Sequence, residues 1–286
     1  MSHLELIKLT ALMERTRGNP SVKIGLVDGP VATRIEGLAS GQIHELAGCS
    51  GASCTNVDSL SCLHGTFVAG ILAGKRGSRA PAICPDCTLL VRPIFAEAAS
   101  GSDQMPSATP RELATAMIEC IEAGARVINL SLALAQPSVK GEQALGEALN
   151  LAVRRGIVVV AAAGNQSTLG SSAITRHPWV IPVVACDLQG RPMKEANLGH
   201  SIGRLGLTAP GDRVTSLGTA SQPVTLGGTS FAAPFVTGAI ALLWSEFPTA
   251  SAAQVKLAVT QAHKPRRTTM VPPLLDAWAA YQVMRS

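Results

Sequence analysis

Gly227-Gly-Thr-Ser-Phe-Ala-Ala-Pro-Phe-Val-Thr-Gly-Ala-Ile-Ala-Leu-Leu-Trp244 is the stretch on which the reading of this chain turns. Its two glycines let the backbone bend sharply. Thr229 is placed to cap the helix that follows, and Ser230 falls in the first turn, among free N–H groups and at the positive end of the helix dipole. A hydroxyl there is well placed to act as a nucleophile. The plain alternative is a loop and cap feeding a buried helix, since Ala239 to Trp244 is almost continuously apolar. Pro234 predicts a disturbance of the early turns, because it brings no N–H to the helix ladder.

Two stretches nearer the N-terminus give Ser230 company. Val22-Lys-Ile-Gly-Leu-Val-Asp-Gly-Pro30 is a short apolar run ending in a carboxylate and a turn. It reads as a buried strand that delivers Asp28 to its carboxyl end, the edge where sites form in open α/β sheets. Leu63-His-Gly-Thr-Phe-Val-Ala-Gly70 then sets His64 at the N-terminus of a helix built from small residues. The chain order is Asp28, His64, Ser230.

These motifs resemble those of the subtilisin-like serine proteases, the subtilases. His64-Gly65-Thr66 with Val68-Ala69-Gly70 resembles the family's histidine motif, and Gly228-Thr229-Ser230 with Ala232 and Pro234 its serine motif. Asp28 resembles the aspartate, and the Asp, His, Ser order is that of the family. Ala161-Ala-Ala-Gly-Asn165 is similar to the segment carrying the oxyanion-hole asparagine. The resemblance implies a three-layer α/β fold, mostly parallel sheet with helices on both faces. It also implies that Ser230 attacks a peptide carbonyl, His64 carries the proton and Asp28 orients the imidazole. Asn165 and the Ser230 N–H would hold the oxyanion. Ser131, Leu132 and Ala133 would line the substrate cleft, with Ala162 and Gly164 beside it. Many subtilases have Ser-Leu-Gly-Gly where this chain has Ser131-Leu132-Ala133-Leu134; the change either extends the strand or reshapes the first specificity pocket.

At 286 residues the chain is long enough for one sizeable α/β domain. Residues 1–286 read as a single peptidase domain, with 1–20 an N-terminal helical extension. The net charge of +5 comes from scattered residues, apart from Lys264-Pro-Arg-Arg267, and no aromatics interleave with that cluster. Nucleic-acid binding is not indicated. Met1 to Asn19 lacks the continuous apolar core of a signal peptide and reads as a short amphipathic helix; no later run approaches a membrane span. With Met1 opening the chain and only 27 residues ahead of Asp28, a cytoplasmic enzyme that folds without a long pro-segment is expected. No cofactor and no metal site is expected: calcium needs several oxygen ligands together, and between Gly29 and Val57 the acidic residues are Glu36 and Glu45. Seven cysteines, Cys49, Cys54, Cys62, Cys84, Cys87, Cys120 and Cys186, leave reduced thiols, one or two disulfides, or zinc ligands open.

Apolar runs place further strands at Gln42–Leu46, Cys87–Phe95, Arg126–Leu132, Ile157–Ala162 and Trp179–Cys186. A helix with a capping box starts at Thr109-Pro110-Arg111-Glu112 and ends at Gly124, another spans Lys140–Arg155, and Ser251–Ala262 carries Ser251 and Gln254 as a second capping pair. Ala209-Pro-Gly-Asp212 resembles a recurrent subtilase loop before the serine motif.

Leu26-Val-Asp-Gly-Pro-Val31 is further similar to the aspartate motif of proteases that mature ribosomal peptides of the cyanobactin, or patellamide, kind. In that group one type removes a precursor's leader, and a related macrocyclase joins the ends and carries a helical cap between the aspartate and histidine motifs. The loop-like stretch from Asp28 to His64 favours cleavage. The expected partner is a peptide or precursor-peptide substrate; a catalytically silent peptide-binding module is the alternative outside enzymes.

Overall fold

The computed structural model describes residues 1–46, 54–95, 108–132, 142–220, 222–261 and 269–286. Runs rich in Val, Ile and Leu, buried along their length, suit parallel strands covered on both faces. The described strands are β1 (Lys23–Asp28), β2 (Ile43–Glu45), β3 (Thr88–Pro93), β4 (Val127–Leu130), β5 (Val158–Ala162), β6 (Val180–Cys186) and β7 (Leu207–Pro210). They form one parallel sheet in the order β2-β3-β1-β4-β5-β6-β7. β8 (Val214–Leu217) and β9 (Pro223–Leu226) make a separate antiparallel hairpin.

The pleat divides each strand between two cores. Ile24, Leu26, Val158 and Val160 face one, packed against α3 (Leu60–Ala73) and α7 (Thr229–Glu246). Val27, Val159 and Ala161 face the other, against α4 (Pro110–Glu122) and α5 (Glu142–Arg154). Helix, sheet and helix are therefore three layers, the subtilisin-like α/β arrangement. The order reverses around β1 and β4, and the carboxyl ends of β1, β4 and β5 meet there. Asp28 ends β1, Ser131 follows β4, and Asn165 lies three residues beyond β5.

Several elements differ from the sequence reading. The N-terminal segment is two short helices, α1 (His3–Leu6) and α2 (Thr10–Arg15), broken at Lys8, whose φ is +51°. The break turns Ile7, Leu9 and Leu12 fully into the core and lets the Lys8 ammonium pair with Asp276 at 2.5 Å. α3 begins at Leu60, so His64 sits in its second turn and not at its start. The added turn buries Ser61 and Cys62, and Cys62 forms a disulfide with Cys54. Cys84, Cys87, Cys120 and Cys186 are buried and form no disulfide among the described residues, while Cys49 lies outside them.

Leu207-Thr-Ala-Pro210, in part expected as loop, is the seventh strand. Proline is tolerated as the last residue of this edge strand, where β6 is its neighbour in the sheet. α5 is described from Glu142, its expected start at Lys140 lying outside the described residues. α6 (His200–Leu205), α8 (Ala252–Gln261) and α9 (Ala277–Arg285) complete the helices among the described residues. None of these helices is long and apolar enough to cross a membrane.

Candidate active site

Asp28 is fully buried at the end of β1, and its Oδ1 lies 2.6 Å from His64 Nδ1. The Gly29 amide donates to the same Oδ1 at 2.6 Å. Asp28 Oδ2 is buried without a hydrogen-bond partner among the described residues. The approach of α3 to the Asp28-Gly29-Pro30 turn depends on bare backbone. A Cβ on Gly29 would overlap the Ser61 carbonyl, and one on Gly65 would overlap the Gly29 and Pro30 carbonyls. Thr66 Oγ1, one residue on, accepts the Ala32 amide at 2.9 Å.

The serine motif reaches this pair through an aromatic ring. Phe231 packs against His64 with ring centroids 5.1 Å apart, and against Phe67 at 4.6 Å. Phe67 is fully buried against that ring. Ser230, the residue before Phe231, is half-buried in the first turn of α7. Its N–H belongs to the set that helix geometry leaves without an intrahelical acceptor.

Thr229 was expected to cap α7. The cap is Gly228, with φ +138°, and the Thr229 side chain makes no capping bond. Its hydroxyl instead donates to Asn165 Oδ1 at 3.0 Å and accepts the Gly164 amide at 3.1 Å, while its own N–H reaches the same Oδ1 at 3.0 Å. With Oδ1 taken by two donors from one residue, the Asn165 amide is oriented and Nδ2 is its donor end. A Cβ on Gly228 would sit 3.1 Å from that nitrogen, so glycine keeps the space beside it open.

α7 continues through Pro234 without interruption. In a regular helix the residue 234 N–H would bond the Ser230 carbonyl. Proline has none, and the vacated acceptor receives Ser131 Oγ–H at 2.8 Å. Ser131 Oγ in turn accepts Asn129 Nδ2 at 2.7 Å, and Asn129 Oδ1 accepts the Thr237 hydroxyl at 2.8 Å. The disturbance expected from Pro234 is absorbed by this buried chain of side chains.

The structure thus brings Asp28, His64, Asn165, Ser131 and the Ser230 backbone together at one edge of the sheet. Leu132 and Ala162 are buried beside it, Gly164 takes a positive φ of +102°, and Ala133 lies outside the described residues. A cavity of about 690 Å³ opens on the aspartate side, between the loop from Val31 to Ile35, β2 and Cys54-Thr55. Thr229 as anchor of Asn165, Phe231 and Asn129 were missed by the sequence reading. Pro234, which leaves the Ser230 carbonyl without its helical donor, is the signal that could have found the Ser131 bond.

A serine in the first turn of a helix, a buried aspartate–histidine pair and an oriented amide on a doubly covered parallel sheet fit a serine hydrolase of the subtilisin type. The subtilase family (peptidase S8) matches residues 51–273. The chain belongs to that family and is a subtilisin-like serine protease. It is 31% identical to subtilisin DY of Bacillus licheniformis over 258 residues, covering 88% of this chain and 87% of that protein. Among solved structures, the protease domain of PatA superposes with a TM-score of 0.83 at 27% identity, covering 94% of this chain and 96% of that one. The prenylagaramide maturation protease PagA gives 0.82 at 25% identity, with 96% and 98% covered.

Proposed function

We propose that residues 1–286 form one peptidase domain in which Ser230, His64 and Asp28 are the catalytic triad and Asn165 is the oxyanion donor. The observation that carries this reading is the 2.6 Å bond from His64 Nδ1 to the buried Asp28 carboxylate, on an imidazole packed against the residue after Ser230. That bond makes Nδ1 the protonated nitrogen and leaves Nε2 as the base.

In the first half-reaction Ser230 Oγ attacks the scissile carbonyl as its proton passes to His64 Nε2. The carbonyl oxygen becomes an anion and takes hydrogen bonds from Asn165 Nδ2 and the Ser230 N–H. Preformed donors cost little reorganisation as the charge develops. Collapse breaks the C–N bond, Nε2 returns its proton to the leaving amine, and an acyl-serine remains. Water then attacks the ester with His64 again as base, releasing the acid and restoring Ser230. Ser131, Leu132 and Ala133 would pair with the substrate backbone on one side, with Ala162 and Gly164 on the other.

The substrate class we favour is a ribosomally made precursor peptide, cut to release its leader. Likeness to the PatA protease domain and to PagA, a maturation protease by its description, supports this choice. Between β1 and α3 the described residues hold a short 3₁₀ turn and β2 but no α-helix, which favours hydrolysis over ring closure. The test is mass spectrometry of precursor-like peptides and of a peptide library incubated with wild type and Ser230→Ala, alongside labelling by a fluorophosphonate. Site-restricted cleavage and Ser230 labelling by wild type alone are expected. A product lighter than its linear segment by one water would establish cyclisation instead, and a chain that neither cleaves nor labels would be a binding module.

A further inference from the structure

The segment that carries Asn165 is an exposed turn, and exposed turns hold a catalytic donor poorly unless something grips their backbone. Thr229 fixes the side-chain oxygen of Asn165 and, on the preceding side alone, the Gly164 amide. The backbone on both sides of Asn165 is gripped by one residue far along the chain, Asn197, on the segment between β6 and α6.

Asn197 Oδ1 accepts the amides of Gln166 at 2.9 Å and Thr168 at 3.1 Å. Its Nδ2 donates to the Ala163 carbonyl at 3.2 Å and to Gln166 Oε1 at 2.7 Å. Its own N–H donates to the Gly164 carbonyl at 2.9 Å. Residues 163, 164, 166 and 168 are thereby tied to a single side chain and its amide, and Asn165 is the residue they enclose. The turn needs the clamp because its backbone is unusual: Gly164 has φ +102° and Ser167, which is not glycine, has φ +53°. A Cβ on Gly164 would overlap Asn197 Nδ2, so the glycine makes room for the clamp as well as for the turn. The neighbours extend the grip, with Ser167 N–H on the Glu195 carbonyl at 2.9 Å and Leu198 N–H on the Thr168 carbonyl at 3.0 Å.

We infer that Asn197 is a positioning residue for catalysis: it sets the place of the Asn165 amide at the oxyanion by holding the turn around it. This rests on the reading of Asn165 as oxyanion donor. The physical basis is that such donors act only when held at about 2.7–3.1 Å from the developing oxyanion. Loss of Asn197 leaves the Gln166 and Thr168 amides to water and frees the turn to shift, while the Thr229 bonds to Asn165 remain.

The test is the inactivation of the enzyme by a fluorophosphonate, resolved into its maximal rate and its half-saturating concentration, for wild type, Asn197→Ala, Asn165→Ala and the double variant. For Asn197→Ala the maximal rate should fall by about tenfold or more, within the roughly hundredfold that a misplacement of about 1 Å can cost, with the half-saturating concentration nearly unchanged. In the Asn165→Ala background the same substitution should have no further effect, because the donor it positions is gone. An equal fall in both backgrounds, or no fall in a folded Asn197→Ala protein, overturns the inference. If Asn165→Ala alone leaves the rate unchanged, the oxyanion assignment falls first and this inference with it. Thermal unfolding of each variant establishes folding. Should Asn197→Ala fail to fold, Asn197→Asp, which keeps the two acceptor bonds, enters the same comparison.

Discussion

Ser230 is flanked by two halves of a site that are held together in opposite ways. On the histidine side the elements meet through bare backbone: glycines 29 and 65 let α3 press its turns against the Asp28 strand, and everything that matters is buried. On the asparagine side the backbone stands open to solvent, and polar side chains, Thr229 and Asn197, hold it by hydrogen bonds. The first half is fixed by the absence of atoms and the second by the presence of particular ones. Added volume should therefore be ruinous on one side, while loss of a single donor or acceptor should be graded on the other.

The largest expected effect comes from Gly65→Ala. A methyl there must displace the Gly29 and Pro30 carbonyls or lift α3 away. Overpacking of this kind commonly costs about 1–3 kcal/mol or more, and the shift would part His64 from Asp28. Fluorophosphonate labelling of Gly65→Ala should fall to the level of His64→Ala, with a lowered melting temperature; a stable variant with near wild-type labelling would break the contrast. Next comes Asn165→Ala, expected to lower turnover by roughly 10²–10³, a range that was measured on a subtilisin and is carried here as a family value, with thermal stability little changed. Smaller again is Thr229→Val, which removes two bonds while keeping the Thr229 N–H on Asn165 Oδ1. Turnover should drop by about tenfold, within the roughly 1–3 kcal/mol net value of two ordinary hydrogen bonds, and a loss as great as that of Asn165→Ala would show that Thr229 does more than orient the amide.

The smallest effect sharpens the comparison from outside the site. Lys256 on α8 lies over the Trp179 ring at 4.9 Å and donates to the Pro178 carbonyl at 2.7 Å, near the amino end of β6. Burial lowers its ammonium from the usual 10.5 to about 8. Between those values the unfolded chain binds more protons than the folded one, so stability from this group rises with pH across that window; below about 8 both states are protonated and its charge opposes folding. Lys256→Met should remove this rise in urea unfolding at pH 7.5 and pH 10, with turnover unaltered. Altered turnover would mean that the two edges of the sheet communicate.

The buried half of the site was largely legible in the sequence because its signals are local. Val22 to Asp28 announces a covered strand by composition, and β5 and β6 do the same. The capping box at Thr109 and Glu112 fixed the start of α4, and both of its reciprocal bonds are present. Strand β7 was hidden because Ala-Pro-Gly at its end carries turn residues, and its strand character comes from pairing with β6. Thr229 was misread since a hydroxyl at a helix start prefers to cap, whereas here an asparagine 64 residues away offers the better acceptor. Nothing near Asn197 marks it, for its partners lie about thirty residues earlier and are mostly backbone atoms common to every residue type.

Pro234 bears on attempts to make this enzyme more robust. A proline within a helix is an obvious target for repair, and Pro234→Ala would restore an N–H to a turn of α7; proline in a helix interior costs about 3 kcal/mol relative to alanine. The restored donor would compete with Ser131 for the Ser230 carbonyl, a bond that ties the end of β4 to the first turn of α7. A higher melting temperature with slower turnover is the expected pairing. An engineer ranking substitutions by stability alone would select the change that unhooks the strand from the serine.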